Sequence, residues 1–306
     1  MNTTPSFTHT LRQRWQAADS MLCVGLDPDP ARIPAHLGTG PEAIDRFCRD
    51  IIAATADTVC AFKPQIAYFA AQGAEDVLAG LIAHIHAEHP GIPVILDAKR
   101  GDIGSTARQY GVEAFDRFKA DALTLSPFMG FDSIEPYFEW AGRGLILLCR
   151  TSNPGGNDLQ ALSVLPAGDT TGTPPGAQSP RQSASDTASS AQPEKLYEHL
   201  ARLAAGPWNV SGELGLVVGA TFPDELARVR ALAPRLPLLV PGVGAQGGDV
   251  NATVRAGLDA DGYGLVINSS RAILYAGKGT DFADQARQAA VATRDAIRAA
   301  RDAARA

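Results

Sequence analysis

Residues 94–107 read VILDAKRGDIGSTA. A short apolar run ends in three charged groups, Asp97, Lys99 and Asp102, and small polar residues follow. An apolar run of this length, closed by turn residues, is the pattern of a strand buried on both faces. Asp102 falls past Gly101, in a turn that opens a helix at Ser105. The stretch is therefore one strand–helix unit with its charges at the strand's mouth. Side chains alternate along a strand, so Asp97 and Lys99 point the same way, about 7 Å apart. Placing an ammonium among carboxylates beside an apolar strand is costly unless the charges pair or take part in chemistry. A structural ion pair at a strand end accounts for these residues as readily as a functional site does.

Outward from this unit the same alternation repeats. Strands are expected over 21–27, 58–63, 92–97, 122–125, 144–149, 214–218, 236–240 and 264–267. Helices are expected over 10–18, from about 41, and over 74–87, 105–118, 132–140, 194–205, 223–232, 248–256 and 281–304. The helix at 132–140 has Asp132 or Ser133 as its cap, and the last, rich in Ala and Arg, turns its charges to solvent. Strand ends recur roughly every 30 residues, as in a (β/α)₈ TIM barrel of the α/β class. An open doubly wound sheet explains the count of eight less well. Only the interval between 149 and 219 is too long. It holds a Pro/Gly/Ser/Thr/Ala/Gln stretch without a large apolar residue over 166–192, bounded more loosely at about 156–193. Such a stretch buries too little to offset its ordering entropy and reads as a disordered surface insertion. The chain is thus expected to be one barrel domain over 1–306, interrupted there.

The 306 residues are 45% hydrophobic and carry a net charge of −6, with acids and bases interspersed. This argues against nucleic acid or an anionic membrane as partner, but leaves room for a local phosphate pocket. Cys23, Cys48, Cys60 and Cys149 show no CxxC spacing and read as reduced core residues. No apolar leader or spanning segment is visible, so a cytoplasmic location is expected.

In a barrel the active site lies at the C-terminal ends of the strands. The polar residues there are Asp27, Lys63, Asp97 with Lys99, Ser152, Thr221, Gln246, and Asn268, Ser269, Ser270 and Arg271. Each alone is an ordinary cap or loop residue, but together they converge on one rim. After the seventh strand, PGVGAQGGD (241–249) holds Gly242, Gly244 and Gly247. A GxGxxG so late in the chain fits a phosphate ester better than a dinucleotide, since the loops after strands seven and eight form such sites. Arg271 adds a planar, permanent cation. His84, His86 and His89 look like a metal cluster but fall at a helix end away from the strand mouths, so no metal site is expected.

Taken together, LCVGLDPDP, AFKPQIAYF, VILDAKRGDIGST, CRTSNPG, VPGVGAQGGD and INSSRAI resemble the orotidine 5′-phosphate decarboxylase family, in its longer bacterial type. DxKRGDI is the specific element. The resemblance implies a (β/α)₈ homodimer that converts orotidine 5′-phosphate to uridine 5′-phosphate and CO₂ with no cofactor. It implies Lys99 as proton donor to C6 of the pyrimidine and Asp97 against the departing carboxylate. Asp102, with Ile103 and Thr106, would reach into the neighbouring subunit's site. Asp27 and Lys63 would hold the ribose, with Lys63 extending the Lys–Asp network. Ser152 would meet the base. Gln246 and Arg271 would clamp the phosphate, with Ser270 beside them and Pro241 and Val243 lining the site. Two rivals remain. Mg²⁺-dependent sugar-phosphate barrels reuse DxKxxD but look to carry an acid where this chain has Lys63. A non-catalytic phosphate sensor would have no need of an ammonium between carboxylates.

Overall fold

Short runs of Leu, Val, Ile and Ala alternate with amphipathic helices, and neither can bury its apolar surface without the other. The computed structural model describes residues 6–165, 192–243 and 249–305. Eight parallel strands form its centre: β1 Leu22–Leu26, β2 Ala61–Pro64, β3 Ile95–Arg100, β4 Ala122–Leu125, β5 Gly144–Arg150, β6 Leu214–Val218, β7 Leu238–Pro241 and β8 Leu265–Ser269. Each pairs with its sequence neighbour, and β8 returns to β1 through Leu22 opposite Ile267. Bridges at Phe62–Val94 and Gln65–Asp97 join β2 to β3 and close the ring. The result is a (β/α)₈ barrel. β1, β2, β4 and β6 are buried at every residue, as expected of strands covered on both faces.

Helices wrap the ring. The helix Gly40–Thr55 buries Ile44, Phe47 and Ile51, and Glu75–Glu88 buries Leu78, Leu81, Ile82 and Ile85. Several expectations need correction. Residues 131–139 form two 3-10 turns, Phe131–Ser133 and Glu135–Glu139, in place of one α-helix. Pro136 lacks the N–H a continuous helix would use. Ser133 does not cap a helix; its Oγ donates back to the Gly130 carbonyl at 2.7 Å. The helix after β3 is α-helical only over Gly104–Gly111 and widens to a π-helix at Val112–Arg117. Glu194 and Lys195 belong to a strand, not a helix; they pair antiparallel with Ser163–Val164, and the helix begins at Leu196.

That pairing also corrects the looser bounds of the low-complexity stretch. Residues 156–165 are structured, with a 3-10 turn at Pro154–Asp158 and the strand at Ser163–Val164. Of the stretch expected to be disordered, 166–191 lies outside the described residues. The closing helix Phe282–Arg305 is also not simply a solvated charged face. Arg301 is buried, reaches Asp19 at 2.6 Å and lies 5.2 Å from the Tyr263 ring centroid. Arg298 holds the other Asp19 oxygen at 2.7 Å, and Arg287 bonds Asp57 at 2.7 Å. The helix thus ties the end of the leading helix Phe7–Ala18 to the barrel. Among the described residues no helix is long and apolar enough to cross a membrane.

Candidate active site

The charged centre is assembled from three adjacent strands. Lys63, near the end of β2, is buried, and its Nζ donates to Asp97 Oδ2 at 2.8 Å. Lys99 Nζ donates to the other oxygen, Asp97 Oδ1, at 2.6 Å. Thr124, on β4, donates its hydroxyl to the same Oδ1 at 3.1 Å. Burial disfavours the Asp97 carboxylate, but the charges of Lys63 and Lys99 outweigh it and hold the carboxyl well below the usual range. Burial likewise works against the Lys63 ammonium, and Asp97 and then Asp27 overcome it, raising its pKa above the ordinary value. Lys63 and Asp97 therefore each favour the charged form. Lys99 keeps 47% of its side chain exposed, so it is reachable from solvent.

The tips of Asp97 and Lys99 meet as the sequence leads one to expect, but regular alternation is not the reason. Leu96 pairs with Leu123 and Arg100 with Leu125, so residues 97–99 face the single residue Thr124. β3 bulges there, and Lys99 takes a left-handed φ of 48°. Such a conformation in a long-chain residue is strained and collects at functional sites.

Around this mouth the rim carries buried polar atoms without a partner among the described residues. They are Asp27 Oδ1, Thr221 Oγ1 and Asn268 Oδ1. Buried polar atoms are normally hydrogen-bonded, so three at one rim are free to meet a polar ligand. Asp27 is fixed by its backbone: its carbonyl accepts from the Tyr275 hydroxyl at 2.8 Å. Ser270 Oγ accepts from Asn268 Nδ2 at 3.3 Å and crowds Gly25, where a Cβ would lie 1.9 Å from it. Only glycine fits at that point of β1.

Pro241 ends β7 opposite Asn268, Val243 is buried, and Gly242 takes a φ of 96°. Arg271 is exposed at the start of the short helix Arg271–Leu274. Gln246, Gly244 and Gly247 lie outside the described residues. The following helix, Val250–Gly257, is capped by Asp249, whose Oδ1 accepts from Asn251 N–H at 2.8 Å.

Ser152 sits beyond β5, half-buried against Gly219, where an added Cβ would fall 2.7 Å from Ser152 N. Its approach is held by Arg150, a fully buried guanidinium that bonds Glu225 and Asn157 and lies 4.3 Å from the Phe222 centroid. Gln160 closes this clamp by accepting from Thr151 N–H at 2.8 Å.

Asp102 is not brought to Lys99 within the chain. The ion pairs at the mouth join Asp97 to Lys63 and Lys99, and Asp102 is in neither; its Oδ1 accepts from Ile103 N–H at 2.8 Å. The expected bracketing of Lys99 by two carboxylates is therefore half met within this chain. Ile103 is 50% exposed, and Thr106 is exposed beside it.

The three histidines stand at the other end of the barrel. His86 bonds Asp121 at 2.8 Å, and the His84 and His89 rings meet edge-on at 6.0 Å. Among the described residues no three metal-ligating side chains cluster. The sequence reading missed Thr124, Tyr275 and Arg150. A signal existed for the first: a lone hydroxyl in the otherwise apolar ALTL of β4.

Comparison with known proteins agrees with this geometry. The profile described as the Orotidine 5′-phosphate decarboxylase / HUMPS family matches residues 20–172. An Azoarcus protein named orotidine 5′-phosphate decarboxylase is 63% identical over 295 residues, covering 96% of this chain and 99% of its own. One of the same name from Aromatoleum aromaticum is 62% identical, with 95% and 98% covered. The structure titled Leishmania donovani OMP decarboxylase superposes with a TM-score of 0.77 at 39% identity, over 97% of this chain and 99% of that one. This chain belongs to the orotidine 5′-phosphate decarboxylase / HUMPS family.

Proposed function

We propose that the chain decarboxylates orotidine 5′-phosphate at the mouth of its barrel, with Lys99 supplying the proton that replaces CO₂. The reaction yields uridine 5′-phosphate and is the last step of de novo UMP synthesis. The observation that carries the reading is the row Lys63–Asp97–Lys99, linked at 2.8 and 2.6 Å.

The chemistry explains why such a row is useful. When the C6–carboxylate bond breaks, its electron pair stays on an sp² carbon with no π system to spread it. Such barriers lie toward the upper end of what enzymes overcome, about 23 kcal/mol of stabilisation. Fixed charge aimed at the developing anion is the largest available term. The Lys99 ammonium meets that charge and passes its proton to C6; its half-exposed amine then regains one from solvent. Asp97, held ionised by its two lysines, lies beside the departing carboxylate.

Asp27 and Lys63 take the ribose hydroxyls, Ser152 the base, and Gln246, Ser270 and Arg271 the phosphate, against Pro241 and Val243. Phosphate binding far from C6 then orients the ring. No step calls on a cofactor: Lys63 places an ammonium where a metal-dependent barrel needs an acid ligand.

A second copy completes the site in this reading, its Asp102, Ile103 and Thr106 closing over Lys99. The half-exposed Lys99 and Ile103 and the absence of Asp102 from the ion pairs among the described residues support this. The location is the cytoplasm, in keeping with four buried free thiols; burial pushes that of Cys23 up to about 12.

The test is to add orotidine 5′-phosphate to purified protein under exhaustive chelation and follow pyrimidine absorbance. Turnover that persists supports the reading. Turnover lost and restored by Mg²⁺ favours a metal-dependent relative. Mixing inactive Lys99→Ala and Asp102→Asn proteins should restore activity if the site is shared.

A further inference from the structure

Thr124 lies at the one point where β3 and β4 lose register. Three residues of β3, 97–99, face it alone, so the bulge strips backbone N–H groups of their ladder partners. A buried N–H left without an acceptor costs free energy comparable to a lost hydrogen bond. Both freed groups turn to one atom: Thr124 Oγ1 accepts from Ala98 N–H and from Lys99 N–H, each at 3.0 Å. The same hydroxyl donates to Asp97 Oδ1 at 3.1 Å. A hydroxyl has one donor and two acceptor sites, so Thr124 is saturated. It is also 1% exposed, which leaves water little access to take its place.

We infer that Thr124 is a positioning residue for decarboxylation: its hydroxyl holds the bulge that aims Lys99 and fixes the carboxylate to which Lys99 is paired. The inference rests on the proposed function above. Residue 99 has a left-handed φ of 48°, a conformation that persists only where its surroundings enforce it. Two of the bonds that enforce it end on Thr124 Oγ1, on a strand whose other three side chains are apolar. The hydroxyl touches neither substrate nor reacting carbon in this account. It acts through Lys99 and Asp97, whose tips must sit within a fraction of an ångström of C6 and the leaving carboxylate.

The experiment compares Thr124→Val, Thr124→Ala and Thr124→Ser with the parent enzyme. Steady-state kinetics with orotidine 5′-phosphate are measured alongside hydrogen–deuterium exchange of the peptide spanning 95–102. Misplacing a catalytic group by about 1 Å costs about a hundredfold. Val should therefore lose about that much in kcat with KM within a few-fold, and exchange across 95–102 should accelerate. Ser, which keeps the hydroxyl, should stay within about threefold of the parent in kcat and keep the slow exchange. Val retaining kcat, or Ser falling as far as Val, overturns the inference. If Val does not fold, Ala takes its place with the same expectations. If Val and Ala both fail to fold while Ser folds, the hydroxyl is structural only and the inference is wrong. Failure of the parent enzyme to turn over the substrate would instead remove the functional reading, and exchange would still report whether the hydroxyl holds the bulge.

Discussion

The two ends of β3 each meet a carboxylate held by basic side chains, and they differ in what is left over. At the N-terminal end Asp121 is satisfied on every side. Its Oδ2 accepts from Val94 N–H and His86, both at 2.8 Å, and its Oδ1 from Arg143 at 3.0 Å. Its backbone joins in, donating to Val94 O and accepting from Gly144 N–H, each at 2.9 Å. The ladder beside it is regular, with Ile95 opposite Ala122 and Leu96 opposite Leu123, although Lys119, two residues earlier, also takes a left-handed φ, of 58°. At the C-terminal end Asp97 is equally well bonded, but β3 bulges at its side, and the rim carries three buried oxygens without a partner among the described residues. Similar chemistry closes the barrel at one end and leaves it incomplete at the other. In this fold the bottom face holds stability and the top face chemistry.

Substitutions can break or sharpen that contrast. The largest effect is expected at Lys99. Lys99→Ala should lower kcat by about 10⁴-fold, the upper range for a positioned proton donor, while calorimetry still detects uridine 5′-phosphate binding. Unchanged turnover would remove Lys99 from the mechanism.

Asp97→Asn comes next, with an effect on both activity and stability. It leaves the buried Lys63 ammonium without its partner, at a cost of about 3 kcal/mol or more in urea unfolding at neutral pH. Its pH signature has a definite sign. The folded-state pKa of Asp97 lies below the unfolded value of about 4. The pairing therefore contributes fully above that value, and its contribution is lost as pH falls below it. The parent protein should lose stability steeply below about pH 4, and Asp97→Asn should flatten that slope. An unaltered slope would assign acid sensitivity to other carboxylates.

At the opposite end, Asp121→Ala should cost about 1–3 kcal/mol of stability, the range for stranding buried hydrogen-bond partners. Its kcat per folded molecule should not change. A fall in kcat there would mean that the two ends are coupled through β3, and the contrast would fail.

Most of the scaffold was legible before any coordinates. The sequence places the run ALTL to the residue, because three apolar side chains and one threonine between charged or turn residues allow little else. The eight strand mouths, and with them Asp27, Lys63, Asp97, Lys99 and Ser152, followed from the repeat. Errors gathered where local pattern and tertiary demand disagree. Residues 131–139 have helical spacing but carry Pro136. Glu194 and Lys195 look helical until Ser163 and Val164 are beside them. Arg301 reads as a surface charge until Asp19 and Tyr263 enclose it.

Sequence pattern thus determined the barrel, the rim and the identity of its charged groups, since these depend on burial periodicity and on chemistry that each residue carries alone. Three-dimensional packing decided the rest: the slip of β3 against β4, the left-handed turn at Lys99, and the single hydroxyl that takes up the freed N–H groups. The physical reason is that a register shift is a property of two strands and the space between them. No side chain on either strand announces it until the other is in place.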